Sequence, residues 1–195
     1  MKKHLILLVL LVQLSIFCQD FKFGKVSKQE LSEKICAIDS TANAAYLLKK
    51  RRSYFSFITS ESRFNLITDY HVRIKIYNSD GFKYATRLVN YYSKSSGSSE
   101  KVSNIKGYTF SLDGNKIVKE KLSKNGIFKE KNTGYYSRVK ITMPKVKEGC
   151  VVDLKYSIIS PYATAIDDVQ FQLGIPIKQL NAQIEIPEYY IFNTT

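Results

Sequence analysis

A chain of 195 residues with 44% hydrophobic residues, nine glycines and four prolines is too apolar and too poor in chain-breakers for a disordered linker, and long enough for one sizeable core. Thirty Lys and Arg against seventeen Asp and Glu leave a net charge of +13, which calls for either an anionic partner or a solubilising lysine coat. Two histidines, His4 and His71, are too few for the usual histidine-built catalytic zinc sites.

The first eighteen residues read as a secretory leader. Lys2 and Lys3 open it, residues 5–12 are uninterrupted apolar sequence continued to Phe17, and the polar Gln19-Asp20 follows at once. The run is shorter than the roughly 20 apolar residues that cross a bilayer, so cleavage after Cys18 is expected and no spanning segment. Lipidation of Cys18 is the alternative, but it needs a small residue where Phe17 stands. Export to the periplasm, the cell envelope or the medium removes nucleic acid as a partner. It directs the positive charge towards lipid headgroups, polysaccharide or an acidic domain. Without the leader, Cys36 and Cys150 remain, either to pair in an oxidising compartment or to sit buried as small hydrophobes.

In chain order, Ser27-Lys28-Gln29-Glu30 has capping-box spacing, and Leu31 and Ile35 share a helical face, which predicts a helix of about two turns ending near Cys36. Residues 46–48 and 54–58 have strand composition. Residues 71–77 alternate, so Val72, Ile74 and Ile76 are expected buried while His71, Arg73 and Lys75 face water. A turn at residues 78–81, with Gly81 supplying a positive φ, returns the chain into a strand over residues 86–92. The serine-rich residues 93–99 read as a hairpin tip.

Tyr108, Phe110 and Leu112 then alternate up to Asp113-Gly114, a hairpin signal, and Ile117-Val118 begins the return. Strands follow at residues 138–142 and 151–159, placing Val152, Leu154 and Tyr156 inside and Lys155 outside, with a last alternating run at residues 182–186. Six lysines fall within residues 116–131. Lys116, Lys119, Lys121 and Lys124 form a candidate basic surface, or else the solvent side of an edge strand. The expected fold is all-β: an antiparallel sandwich or partly open barrel with one short N-terminal helix. Residues 19–39 form an extension and residues 40–195 a single domain.

Chemistry is sparse. No glycine-rich phosphate loop occurs, and a Cys-His-Asp set drawn from Cys36 or Cys150 with His71 has no support in spacing. Asp167-Asp168 reads as a solvated turn, and Asn193-Thr194-Thr195 matches the glycosylation sequon. No catalytic, cofactor-binding or metal-binding residue is nominated.

Several runs occur in a telling order: residues 70–78 with Gly81, Thr109-Phe110 to Asp113-Gly114, and residues 143–149 with the strand to Tyr156. Asp168 to Phe171-Gln172 with Ile175-Pro176, and Ile184 to Pro187, complete the set. Over roughly residues 40–195 this set resembles the DUF3857 family, a domain of unknown function in exported proteins of Bacteroidetes. The resemblance implies a position N-terminal to a transglutaminase-like domain whose cysteine-protease-type triad lies outside this chain. Neither Cys36 nor Cys150 matches a family catalytic position. The implied role is a non-catalytic accessory domain packing against or positioning that partner. An apolar interface is then expected where the chain leaves the domain, at Ile186, Tyr189, Tyr190, Ile191 and Phe192, the alternative being that these side chains finish the domain's own last strand. The alternative is a binding module for an anionic envelope polysaccharide or peptide.

Overall fold

The computed structural model describes residues 21–94, 97–131, 134–171, 174–188 and 190–191. The leader, Tyr189, Phe192 and the sequon lie outside the described residues. Two long strands, β1 (Ala44–Ile58) and β2 (Arg63–Ile76), form an antiparallel hairpin around a short 3-10 turn. β3 (Thr86–Tyr92), β4 (Lys101–Asp113), β5 (Lys116–Lys121), β6 (Ile127–Lys131), β7 (Tyr136–Thr142), β8 (Val151–Ser160) and β9 (Leu180–Glu185) follow. They build a six-stranded sheet in the order β5-β4-β8-β2-β1-β9 and a three-stranded sheet in the order β3-β7-β6. The expected all-β sandwich is the fold, and it is not a closed barrel. One edge departs from a purely antiparallel pattern, because β9 runs parallel to β1.

The inner core is written in the alternation. Val72, Ile74 and Ile76 of β2 and Val152, Leu154 and Tyr156 of β8 meet Val89, Val139 and Ile141 of the small sheet, all buried. Each such side chain contributes about 1.5–3 kcal/mol of burial free energy. Of the expected core, Phe110 is buried but on the opposite, outer face, and Leu112 is only half-buried there.

Three local expectations are corrected. The turn after β2 is a 3-10 segment, Ser79–Ala85, that carries the chain into the other sheet, so β2 and β3 are not a hairpin. Gly81 there has no positive φ. It is required because a Cβ would sit 2.3 Å from the Asn43 carbonyl oxygen. The strands flanking residues 93–99 likewise lie in different sheets, β3 pairing with β7 and β4 with β5 and β8, although the Glu100 N–H donates to the Tyr92 carbonyl at 2.9 Å across the base of the loop; residues 95–96 lie outside the described residues. The Asp113-Gly114 hairpin is as expected, with Gly114 at φ 56°.

The helix α1 (Lys28–Ser32) is shorter than expected. Its capping box is present, Leu31 is buried, and Ile35 is exposed. Leu31 and Phe21 pack with Leu47, Phe110 and Val151 on the outer face of the large sheet, with Leu47 at a bulge in β1. This second apolar layer has a consequence for charge: Arg73 and Lys75, expected in water, are 2% and 0% exposed because residues 21–36 cover them. Lys155 is half-buried.

Candidate functional site

The outer face of the large sheet carries the polar chemistry. Register aligns it in rows: Arg73 lies opposite Asp153, His71 opposite Lys155, and Asp69 opposite Ser157. Because side chains alternate with period two, all six project from one face.

Under the N-terminal segment the rows form a closed network. Asp153 Oδ1 lies 2.7 Å from His71 Nε2, and its Oδ2 accepts from Arg73 Nη2 at 3.1 Å and from the Gly24 N–H at 2.7 Å. Arg73 also donates to Glu30 Oε1 at 2.9 Å and to the Lys22 carbonyl at 2.8 Å. Glu30 Oε2 closes the capping box with Ser27, so one carboxylate both caps α1 and holds Arg73. Burial alone would raise the Asp153 pKa. The hydrogen bond from His71 and the charge and hydrogen bond of Arg73 outweigh it and hold the carboxyl below its usual range. Lys75 donates at 2.6 Å to the carbonyls of Leu31 and Gly149, and burial lowers its pKa to about 8.

Beyond Phe23 the same face opens into a cleft of about 410 Å³. Lys50 is in register with His71, His71 with Lys155, and Lys155 with Lys106, so four basic side chains form one row across four strands. Lys155 Nζ sits 4.6 Å from the Phe23 ring centroid. In the next row Asp69 accepts from Ser157 Oγ at 2.6 Å, and Asn104 Nδ2 donates to that oxygen at 3.3 Å. Arg52 is committed to Glu185 through two bonds of 2.6 and 2.7 Å. Lys50 and Lys106 have no ion pair or hydrogen bond among the described residues. The sequence reading missed this cleft. Its signal was present in the alternation of His71 and Lys155, but the register that joins four strands is long-range.

The candidate basic surface is placed differently. Lys116, Lys119, Lys121 and Lys124 are all exposed, but they are divided. Lys119 and Lys121 align with Phe110 and Tyr108 on the outer face, Lys116 alternates to the other side, and Lys124 lies in the turn towards β6. Lys119 donates to the Gly24 carbonyl at 2.9 Å and lies 3.8 Å from the Tyr108 ring centroid, helping to pin the N-terminal segment. Both β5 and β6 are sheet edges, where such lysines oppose edge-to-edge pairing. Cys36 and Cys150 are buried free thiols, and burial pushes the Cys150 thiol up.

Of the expected interface, Tyr190 is half-buried. Its ring stacks on Phe55 at 5.2 Å and meets Phe64 edge-on at 5.5 Å, while Phe57 lies 5.0 Å from Phe64. Ile191 is 95% exposed. Phe55 and Phe57 pair with Leu66 and Phe64, and Ile184 is in register with Ser53, so these side chains share the inner face. The small-sheet strands are five to seven residues long against fifteen in β1. Phe57 is 52%, Ile184 46% and Ile186 47% exposed there.

No family model and no curated protein matches the chain. What fold and surface define is a class: a two-sheet β-sandwich module whose outer face carries a buried polar network and a basic cleft beside an apolar layer, and whose inner face ends in exposed apolar side chains among the described residues. Among solved structures with this fold is a provisionally assigned protease from Parabacteroides distasonis, 16% identical, with a TM-score of 0.58. The likeness covers 75% of this chain and 29% of that one, so this chain spans under a third of that protein's length. At this identity the likeness shows the fold alone.

Proposed function

We propose that this chain is an exported, non-catalytic accessory domain that packs against and positions a transglutaminase-like domain, as its resemblance to the DUF3857 family implies. The observation that carries this reading is the apolar end of the large sheet, where, among the described residues, Phe57, Ile184 and Ile186 are exposed beside the Phe55–Tyr190–Phe64 stack. Several large apolar side chains exposed at one end of a sheet support an interaction site there. The recurrence of the fold as a minor share of a longer chain supports the modular role.

The polar face supports a non-catalytic reading. His71 Nε2 is taken by Asp153, Ser157 donates its hydroxyl to Asp69, and both cysteines are buried. No nucleophile is hydrogen-bonded to His71 among the described residues, as an activated pair would require.

Sedimentation velocity tests the reading. The chain alone should self-associate as concentration rises. Phe57→Asp with Ile184→Asp should make it monomeric with its melting temperature retained, and a transglutaminase-like domain from the same genome should compete with the self-association. A chain that is monomeric throughout and indifferent to that domain would overturn the reading. The alternative, a module for an anionic envelope polysaccharide or peptide, draws on the basic cleft of the opposite face.

A further inference from the structure

Like charges placed directly opposite one another in a sheet are destabilising, yet Lys155 lies opposite Lys106, and with Lys50 and His71 they form an unbroken row over β1, β2, β8 and β4. With strands about 4.8 Å apart, that row spans roughly 14 Å. Among the described residues, His71 alone of the four has a carboxylate partner, and that carboxylate, Asp153, lies on the covered side of the row. Lys155 rests against Phe23, and Lys50 and Lys106 reach the cleft unpaired among the described residues. Folding therefore collects three lysines at the mouth of a cleft large enough for a small ligand, and among the described residues none of the three is in an ion pair; the one carboxylate lining the cleft there, Asp69, stands in the next row.

We propose that this cleft binds an acidic saccharide, a sugar unit carrying a carboxylate, with the lysine row holding the carboxylate. The second row selects for a sugar over a bare anion. Asp69, bonded to Ser157, has acceptor capacity left for sugar hydroxyls, and the exposed Asn104 amide adds a polar group at the rim. A carboxylate one row from the lysines repels a densely charged phosphate but suits a ligand that pairs one negative charge with several hydroxyl donors. The inference deepens the second functional reading. It concerns the face opposite the docking end, so it can fail while the docking proposal stands.

The experiment is a calorimetric titration of the full chain at physiological salt, where exposed charges are screened beyond about 8 Å. The probes are an oligogalacturonate, its neutral galactose counterpart, inorganic phosphate and an acidic peptide. The expected result is saturable binding of the oligogalacturonate alone. Lys106→Gln and Lys155→Gln should each weaken it at least about tenfold, the loss of a charge-assisted contact, and Asp69→Asn should weaken it too. Lys106→Gln should leave the melting temperature unchanged or higher, because it relieves the like-charge row; a merely structural lysine would lower it. Absence of saturable binding would overturn the proposal. So would equal binding of phosphate or the acidic peptide, or binding indifferent to Lys106 and Asp69.

Discussion

The guanidinium of Arg73 holds two buried carboxylates, Glu30 and Asp153, and carries the capped helix with it. Arg73→Met should therefore cost about 3–5 kcal/mol in denaturant unfolding, mostly from the charges it strands; a cost within a few tenths would mean the network is not formed. The pH dependence has two limbs. A carboxylate depressed in the folded state adds stability above its unfolded pKa, about 3.9 for Asp, and loses it as pH falls through the folded value. Asp153 is depressed by His71 and Arg73 against the opposing effect of burial, so stability should fall below about pH 4, and Asp153→Asn should flatten that limb.

Lys75 has the opposite sense. Its folded pKa of about 8 lies below the ordinary 10.5, so the unfolded chain binds more protons between those values and stability rises with pH across that window. Lys75→Met should remove this rise, read from melts across the same pH range. Alternation alone had placed Arg73 and Lys75 in water, because it reports that a strand has two faces and not that one is wet. Nothing local in residues 71–77 announces that residues 21–36, some forty positions earlier, cover the second face. The Ser27–Glu30 spacing was legible as a cap; the other oxygen of Glu30, committed to Arg73, was not.

Among the elements, β2 and β8 are the spine, paired from Leu66 with Ser160 to Lys75 with Val151. Ile74→Ala, which empties the centre of the inner core, should cost about 2–5 kcal/mol by chemical denaturation. A loss of a few tenths would mean the two faces are exchanged. The inner faces of β2 and β8 and the Asp113-Gly114 hairpin could be read directly, because period-two patterning and turn chemistry are local. The assignment of β3 to the small sheet and the parallel docking of β9 could not, since both depend on partners, β7 and β1, that no short-range signal names. The basic surface fell into the same gap. Lysines close in sequence on β5 were parted by the pleat, whereas Lys50, Lys106 and Lys155, far apart in sequence, were brought into one row.

At the scale of the whole molecule, both faces of the large sheet matter. Among the described residues Phe57, Ile184 and Ile186 stay exposed at one end of the inner face, and a basic cleft opens beside residues 21–36 on the outer one. The proposal that the apolar end docks a transglutaminase-like domain is a statement about this end of the large sheet. Hydrogen exchange on the chain with and without such a domain from its own genome tests it most directly. Docking there should give new protection at residues 54–58 of β1 and 182–186 in and after β9, with exchange across β5 and β6 unchanged. Protection confined to β4 and β5, or none at saturating partner, would contradict it.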